Sequence, residues 1–309
     1  MIQRISIAFT ATLAFAASLF AATPEKIALL KWYSANQVTT FAVGSVPVHA
    51  AFDGESMWVT NHNANTVQKL RASDGAILGT FAVGAQPFHL AFDGANIWVT
   101  NSGSNTVTKL RGSDGALLGT FTVGPEPLGI AFDGANIWVA IGQSNVVVKL
   151  QPSGTIIGTF AVGTLPDGVI FDGSSIWVAN HSSNTVTKLR ASDGTVLGTF
   201  AVGNGPGEMA FDGANIWVSN FFSNTVTKLQ ASTGTVLGTF AVGIGPVGVA
   251  FDGTNIWVVN DQSGTVTELQ GPNAAVQVTF NVGSNPEGIA FDGANLWVCN
   301  TSSNTVSKL

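Results

Sequence analysis

From Gln37 onward, apolar residues come in short runs cut by Gly, Asn, Asp or Pro. The stretch from Pro87 to Gly124 holds four of them: Pro87–Phe92, Asn96–Asn101, Asn105–Leu110 and Ala116–Val123. Each is rich in β-branched and aromatic residues and short enough for a strand. Asp93-Gly94 and Asp114-Gly115 mark turns after the first and third runs. No 3.6-residue period appears among them, so helices are not expected here. Strict polar alternation is also weak, which suits sheets covered on both faces. The pattern predicts four strands, named a to d from first to last.

This unit recurs. Phe-Asp-Gly starts at Phe52, Phe92, Phe132, Phe171, Phe211, Phe251 and Phe291, with gaps of 40, 40, 39, 40, 40 and 40. A tryptophan follows each: Trp58, Trp98, Trp138, Trp177, Trp217, Trp257 and Trp297. Seven four-stranded units at this period predict an all-β, seven-bladed β-propeller. The last unit stops after strand c, at Asn304–Leu309, while Gln37–Gly44 matches the strand d of other units. The N-terminal segment is therefore expected to complete the seventh blade, giving 28 strands and no orphan edge. The gap of 39 traces to Gln151-Pro-Ser-Gly154, one residue shorter than Arg111-Gly-Ser-Asp-Gly115 in the c–d turn.

The N-terminus differs in kind. Arg4 precedes an apolar run from Ile5 to Ala22, the pattern of a secretory signal peptide. Cleavage after Ala22 would leave Phe20 at the −3 place, and cleavage after Ser18 would leave Ala16 there. The expected organisation is a signal peptide over 1–22, a lead-in over 23–35 and the propeller over 36–309. The protein is then secreted or periplasmic, with no membrane span after cleavage. The formal net charge of −6 argues against nucleic acid as a partner. Cys299 is the one cysteine, so the fold does not depend on an intramolecular disulfide. A monomer is expected.

Most repeated residues have structural readings. The tryptophan is expected to pack between blades, and the Asp of Phe-Asp-Gly to bond turn backbone. Lys69, Lys109, Lys149, Lys188, Lys228 and Lys308 on strand c read as solvated residues near the outer wall, with Glu268 as the exception. If strand a lines the channel, the d–a and b–c loops share one face. There the repeats disagree. Two residues after the repeat proline stand His49, His89, Gly129, Gly168, Glu208, Gly248 and Gly288; one residue earlier stand Val48, Phe88, Leu128, Asp167, Gly207, Val247 and Glu287. The b–c loops add His62, His181, Phe221, Phe222 and Asp261. All four histidines thus fall on one face. His49, His89 and Glu208 are the candidate catalytic set, since imidazoles and carboxylates converging on a pore can bind a divalent metal or move protons. Asp167, Glu287, His62, His181, Phe221, Phe222 and Asp261 are candidates for contact with a ligand or partner, the exposed Phe221-Phe222 pair suiting a partner surface.

The unit Ile-Trp-Val-Thr-Asn, with Val-Gly-x-x-Pro-x-Gly before strand a, resembles the YVTN-type repeats of secreted bacterial propellers and, more broadly, NHL-type propellers. Trp98-Val99-Thr100-Asn101 stands where that family carries Tyr-Val-Thr-Asn. The Trp-bearing strands and Pro-x-His/Gly strand starts are also similar to the streptogramin (virginiamycin B) lyases. That resemblance implies a channel-mouth His and Glu working with Mg²⁺ to take a proton next to a carbonyl and open an ester ring. The last two blades carry Gly248 and Gly288 where such a histidine would be sought. Two functions follow as expectations: a binding or interaction scaffold acting through the variable face, towards a protein or a small molecule, or a metal-assisted lyase or hydrolase at the channel mouth.

Overall fold

The computed structural model describes residues 38–270 and 274–309. The proposed signal peptide and lead-in lie outside the described residues, and so does Gln37. Seven four-stranded antiparallel sheets account for 28 strands. In blade 1 these are Pro47–Phe52, Ser56–Asn61, Thr66–Arg71 and Ile77–Ala82, from channel to rim. The seventh sheet closes as expected: Thr39–Ala42 lies beside Thr305–Lys308, which lies beside Leu296–Asn300 and then Pro286–Phe291. Two 3-10 turns, Gly142–Ser144 and Phe221–Ser223, sit in b–c loops. No helix among the described residues is long and apolar enough to cross a membrane.

The core lies between blades. One cluster joins Trp58 and Val67 of blade 1 to Leu90, Ile97, Val99 and Leu110 of blade 2. Another spans the closing seam, joining Trp297, Cys299 and Val306 to Ala50, Met57, Val59 and Leu70. Each indole removes roughly 200 Å² from water, on the order of 5 kcal/mol of transfer free energy. A buried indole also needs a partner for its N–H. The Phe-Asp-Gly aspartate supplies it: Trp98 Nε1 donates to Asp93 Oδ2 at 2.7 Å. Asp93 Oδ1 accepts from the amides of Ala95 and Asn96, at 2.9 and 2.7 Å. Burial works against its charge, but the donors of Trp98, Asn96 and Ala95 hold the carboxyl below its ordinary range. One aspartate thus caps the a–b turn and fixes the tryptophan.

The strand-c lysines are not solvated. Lys69, Lys149 and Lys188 are buried. Each stands over the tryptophan of its own blade, at 4.7–5.2 Å from the ring centroid across the six lysines. The ammonium groups of Lys69, Lys109, Lys149, Lys188 and Lys308 then reach the c–d turn of the next blade. Lys69 donates to Gly112 O at 2.7 Å, Lys188 to Ala231 O at 2.6 Å and Lys308, across the seam, to Ala72 O at 2.7 Å. Glu268 breaks the series. The blade after it is the seventh, whose strand c is Thr305–Lys308 and whose strand d is Thr39–Ala42.

Candidate functional site

Strand a is bulged in every blade at the same place. In blade 2, Pro87 pairs with Asn101 and Leu90 with Val99, and the register slips between them. A bulge re-aims side chains, and here consecutive residues both face the channel mouth. Val48 with His49, Phe88 with His89, Gly207 with Glu208, and Glu287 with Gly288 all line one cavity of about 70 Å³. Asp167, His181 and Phe221 complete its polar and aromatic wall. Beneath it, a larger cavity of about 360 Å³ continues down the channel between Ile130, Phe132, Phe171 and Met209, and the two share His49, His89 and Glu208. Those three side chains form the partition.

At the lip, His49 and His89 stack with centroids 4.3 Å apart and planes inclined at 23°. Phe88 also lies parallel to His89, at 4.7 Å and 3°. Across the channel, Glu208 Oε1 stands 2.9 Å from His89 Nε2. That contact is short but off-axis, and Oε1 is buried without a hydrogen-bond partner, as is His49 Nδ1. The ligating atoms of His49, His89 and Glu208 all lie within 4.8 Å of one another.

Charge states follow from burial and neighbours. Burial, reinforced by His89, pushes His49 down to about 3 against the pull of Glu208, so His49 is neutral. Burial also opposes charge on His89, but Glu208, with Asp167 and Glu287 behind it, holds its pKa above the ordinary imidazole value. Glu208 is likewise opposed by burial and rescued by His89, ending below its ordinary value. Burial raises Asp167 to about 6, opposed by His89. Burial raises Glu287 to about 8, with Asp167, Asp261 and Glu208 adding to the rise and His89 opposing it. Near neutral pH His49 is therefore neutral, Glu208 and Asp167 are carboxylates, Glu287 is largely protonated, and His89 is shifted towards its protonated form.

The remaining candidates sit elsewhere on the same face. His62 Nδ1 lies 3.3 Å from Pro87 O, and its ring meets Phe88 edge-on at 6.3 Å. Phe222 is 67% exposed and packs edge-on against Phe221 and His181. Asp261 is half-buried and does not line the cavity.

Four lip glycines reflect crowding. A methyl at Gly129 would overlap the carbonyl oxygen of Asp167 in the next blade, and methyls at Gly168, Gly248 and Gly288 would meet the backbone oxygens of Gly207, Glu287 and Val48. Only blades 1, 2 and 5 admit a lip side chain. In those same blades strand b carries a hydroxyl eleven residues later: Thr60, Thr100 and Ser219. The His49 amide donates to Thr60 Oγ1 at 3.0 Å and the His89 amide to Thr100 Oγ1 at 2.9 Å. Thr60 and Thr100 then donate to Phe88 O and Leu128 O of the following blades, at 2.8 and 2.7 Å. Ser219 donates to Glu208 O at 3.1 Å. The four glycine blades carry Ala140, Ala179, Val259 and Cys299 there, none with a hydroxyl. The pairing was visible in the sequence as a spacing of eleven, but only the bulge shows what it joins.

No family model matches the sequence, and no curated protein matches it. The fold is similar to solved structures. A streptogramin B lyase superposes with a TM-score of 0.76 at 19% identity, over 88% of this chain and 96% of that one. Virginiamycin B lyase from Staphylococcus aureus gives 0.76 at 18%, over 88% and 98%. Hydrazine synthase from Kuenenia stuttgartiensis gives 0.73 at 19%, over 85% and 95%. At these identities the likeness is one of fold.

Proposed function

We propose that the chain is an exported binding propeller that takes a small ligand at the channel mouth of its variable face. The observation that carries this is the pairing of each lip side chain with a strand-b hydroxyl, present in three blades and missing from the other four. Drift in exposed loops has no reason to match a residue on one strand with a buried one on the next. A small-molecule library tested by thermal melting checks the reading. A ligand at saturating concentration raises the melting temperature by about 3 °C or more, and the double variant His49→Ala, Glu208→Ala loses that rise. If the rise survives in the double variant, the ligand sits elsewhere and the reading fails.

A second reading is metal-assisted lyase or hydrolase chemistry. It is favoured by the mutual approach of His49, His89 and Glu208 and by their two orphaned atoms. Two imidazole nitrogens and one carboxylate oxygen suit Zn²⁺ or Mn²⁺ better than Mg²⁺, which prefers oxygen ligands and retained water. A bound divalent cation would act there as a Lewis acid on a substrate carbonyl. His89 would shed its proton to ligate, so binding weakens as pH falls. Asp167 and Glu287 would face the substrate from the blades beside Glu208 and His49. Zn²⁺ or Mn²⁺ is expected to bind with about one ion per chain by calorimetry, and Glu208→Gln to weaken binding roughly tenfold or more. Heat changes that are absent, or indifferent to Glu208→Gln, rule this second reading out.

A further inference from the structure

The charges on the variable face lead further. Its d–a and b–c loops carry five carboxyls, Glu126, Asp167, Glu208, Asp261 and Glu287, and not one Lys or Arg. Among the described residues the lysines all lie on strand c, five of them as inter-blade clasps, and Arg71, Arg111 and Arg190 end strand c towards the opposite face. Among the described residues, the group nearest the cavity that tends to positive charge is His89, whose Nε2 already faces Glu208 Oε1 at 2.9 Å. An anionic ligand would find no free cation to meet. Apolar surface lies beside the acids: Val48, Phe88, Pro246, Val247 and Phe221 line the same cavity.

We infer that the ligand of the channel mouth is an organic ammonium compound, with its charged nitrogen between Asp167, Glu208 and Glu287 and its hydrocarbon part against Phe88, Phe221 and Val247. This rests on the proposed ligand site at the mouth and specifies its chemistry. The cavity of about 70 Å³ holds the space of several waters, enough for an ammonium head and a short stem, with the rest of the ligand extending out of the mouth. Glu208 Oε1, buried and without an aligned donor, gains one from the ammonium N–H.

The four histidines, all on this face, serve as reporters. Their ring C–H signals in wild-type protein are followed by NMR during titration with n-butylammonium, butan-1-ol and butyrate, three probes of nearly one shape. The ammonium is expected to shift His49 and His89 in a saturable way, His62 less, and to bind about tenfold or more tighter than the alcohol, with butyrate weakest. Asp167→Asn and Glu287→Gln each reduce ammonium affinity while leaving that of the alcohol unchanged. Equal or tighter binding of the alcohol or butyrate overturns the inference and leaves the mouth as a ligand site of other chemistry. If none of the three moves an imidazole, the inference also fails, and the mouth site then stands or falls on the library melts.

Discussion

Gly129→Ala is expected to lower the unfolding free energy by about 3 kcal/mol or more, while Gly207→Ala changes it by less than about 1 kcal/mol. Both lie at the start of strand a, Gly129 at the lip and Gly207 one position before the lip residue Glu208, two blades apart, and neither has a positive φ. A methyl at Gly129 runs into the Asp167 carbonyl and the Val169 amide, which are backbone atoms held in the next blade. Relief demands that two inner strands separate, which also disturbs the wall carrying Asp167. A methyl at Gly207 meets only Ser219 Oγ at 3.6 Å and Asp167 Oδ2 at 3.7 Å, ordinary contact distances. Urea unfolding of the two variants beside the parent measures the difference. Similar midpoints for the two would show that the inner strands yield freely, and that glycine at the lip is not enforced by packing.

Stability is also expected to fall as pH rises from about 6.5 to 8. Glu287 has a folded pKa of about 8 against an ordinary 4.5. The folded chain keeps a proton there that the unfolded chain has lost, so this contribution is complete below 4.5 and disappears as pH passes 8. Asp167 behaves alike between 3.8 and about 6. His49 runs the other way. With a folded pKa of about 3 against 6.5, its contribution grows over that range and is level above it. Below 6.5 these effects oppose one another. Above 6.5 only Glu287 and His89 still move, and both downward, because the raised pKa of His89 stabilises the fold at low pH and is lost as that proton leaves. Glu287 is half-buried, so the loss across this window is about 1–2 kcal/mol from that residue. Glu287→Gln removes most of the slope and equals or exceeds the parent in stability at pH 8. A parent curve that is flat from 6.5 to 8, or a Gln variant that keeps the slope, would refute this account of the mouth.

The period of Phe-Asp-Gly made the architecture legible, closing strand included, because repetition at 40 residues leaves few folds to choose from. The same repetition exposed the lip: His49, His89 and Glu208 stand out as departures from glycine. What escaped was everything set by the approach of one blade to the next. Lys69 looked solvated because strand c is third from the channel, yet the c–d turn of the following blade covers it. The bond from Trp98 to Asp93 was missed because the aspartate was read as a turn residue with a single task. The stacking of Phe88 on His89 depends on a bulge, which a sequence of strand-like residues does not announce. His62 and Asp261 share the face with the cavity but not its lining, since loop residues project by turn geometry rather than by strand alternation.

The lysine clasp gives the ring a direction. Five joints show the grip, made by Lys69, Lys109, Lys149, Lys188 and Lys308 on the blade that follows, so the joints are head-to-tail, and the assembly is finite because seven blades return to the start. One joint lacks the lysine itself. Between the sixth and seventh blades Glu268 replaces the lysine, and Trp257 is only partly buried where its six counterparts are buried. The seam where the two ends of the chain meet is, by contrast, fully clasped by Lys308. The joint without a lysine thus borders the blade that strands from both ends of the described chain build together, and it, rather than the Lys308 seam, is the joint expected to open first when the ring is pulled.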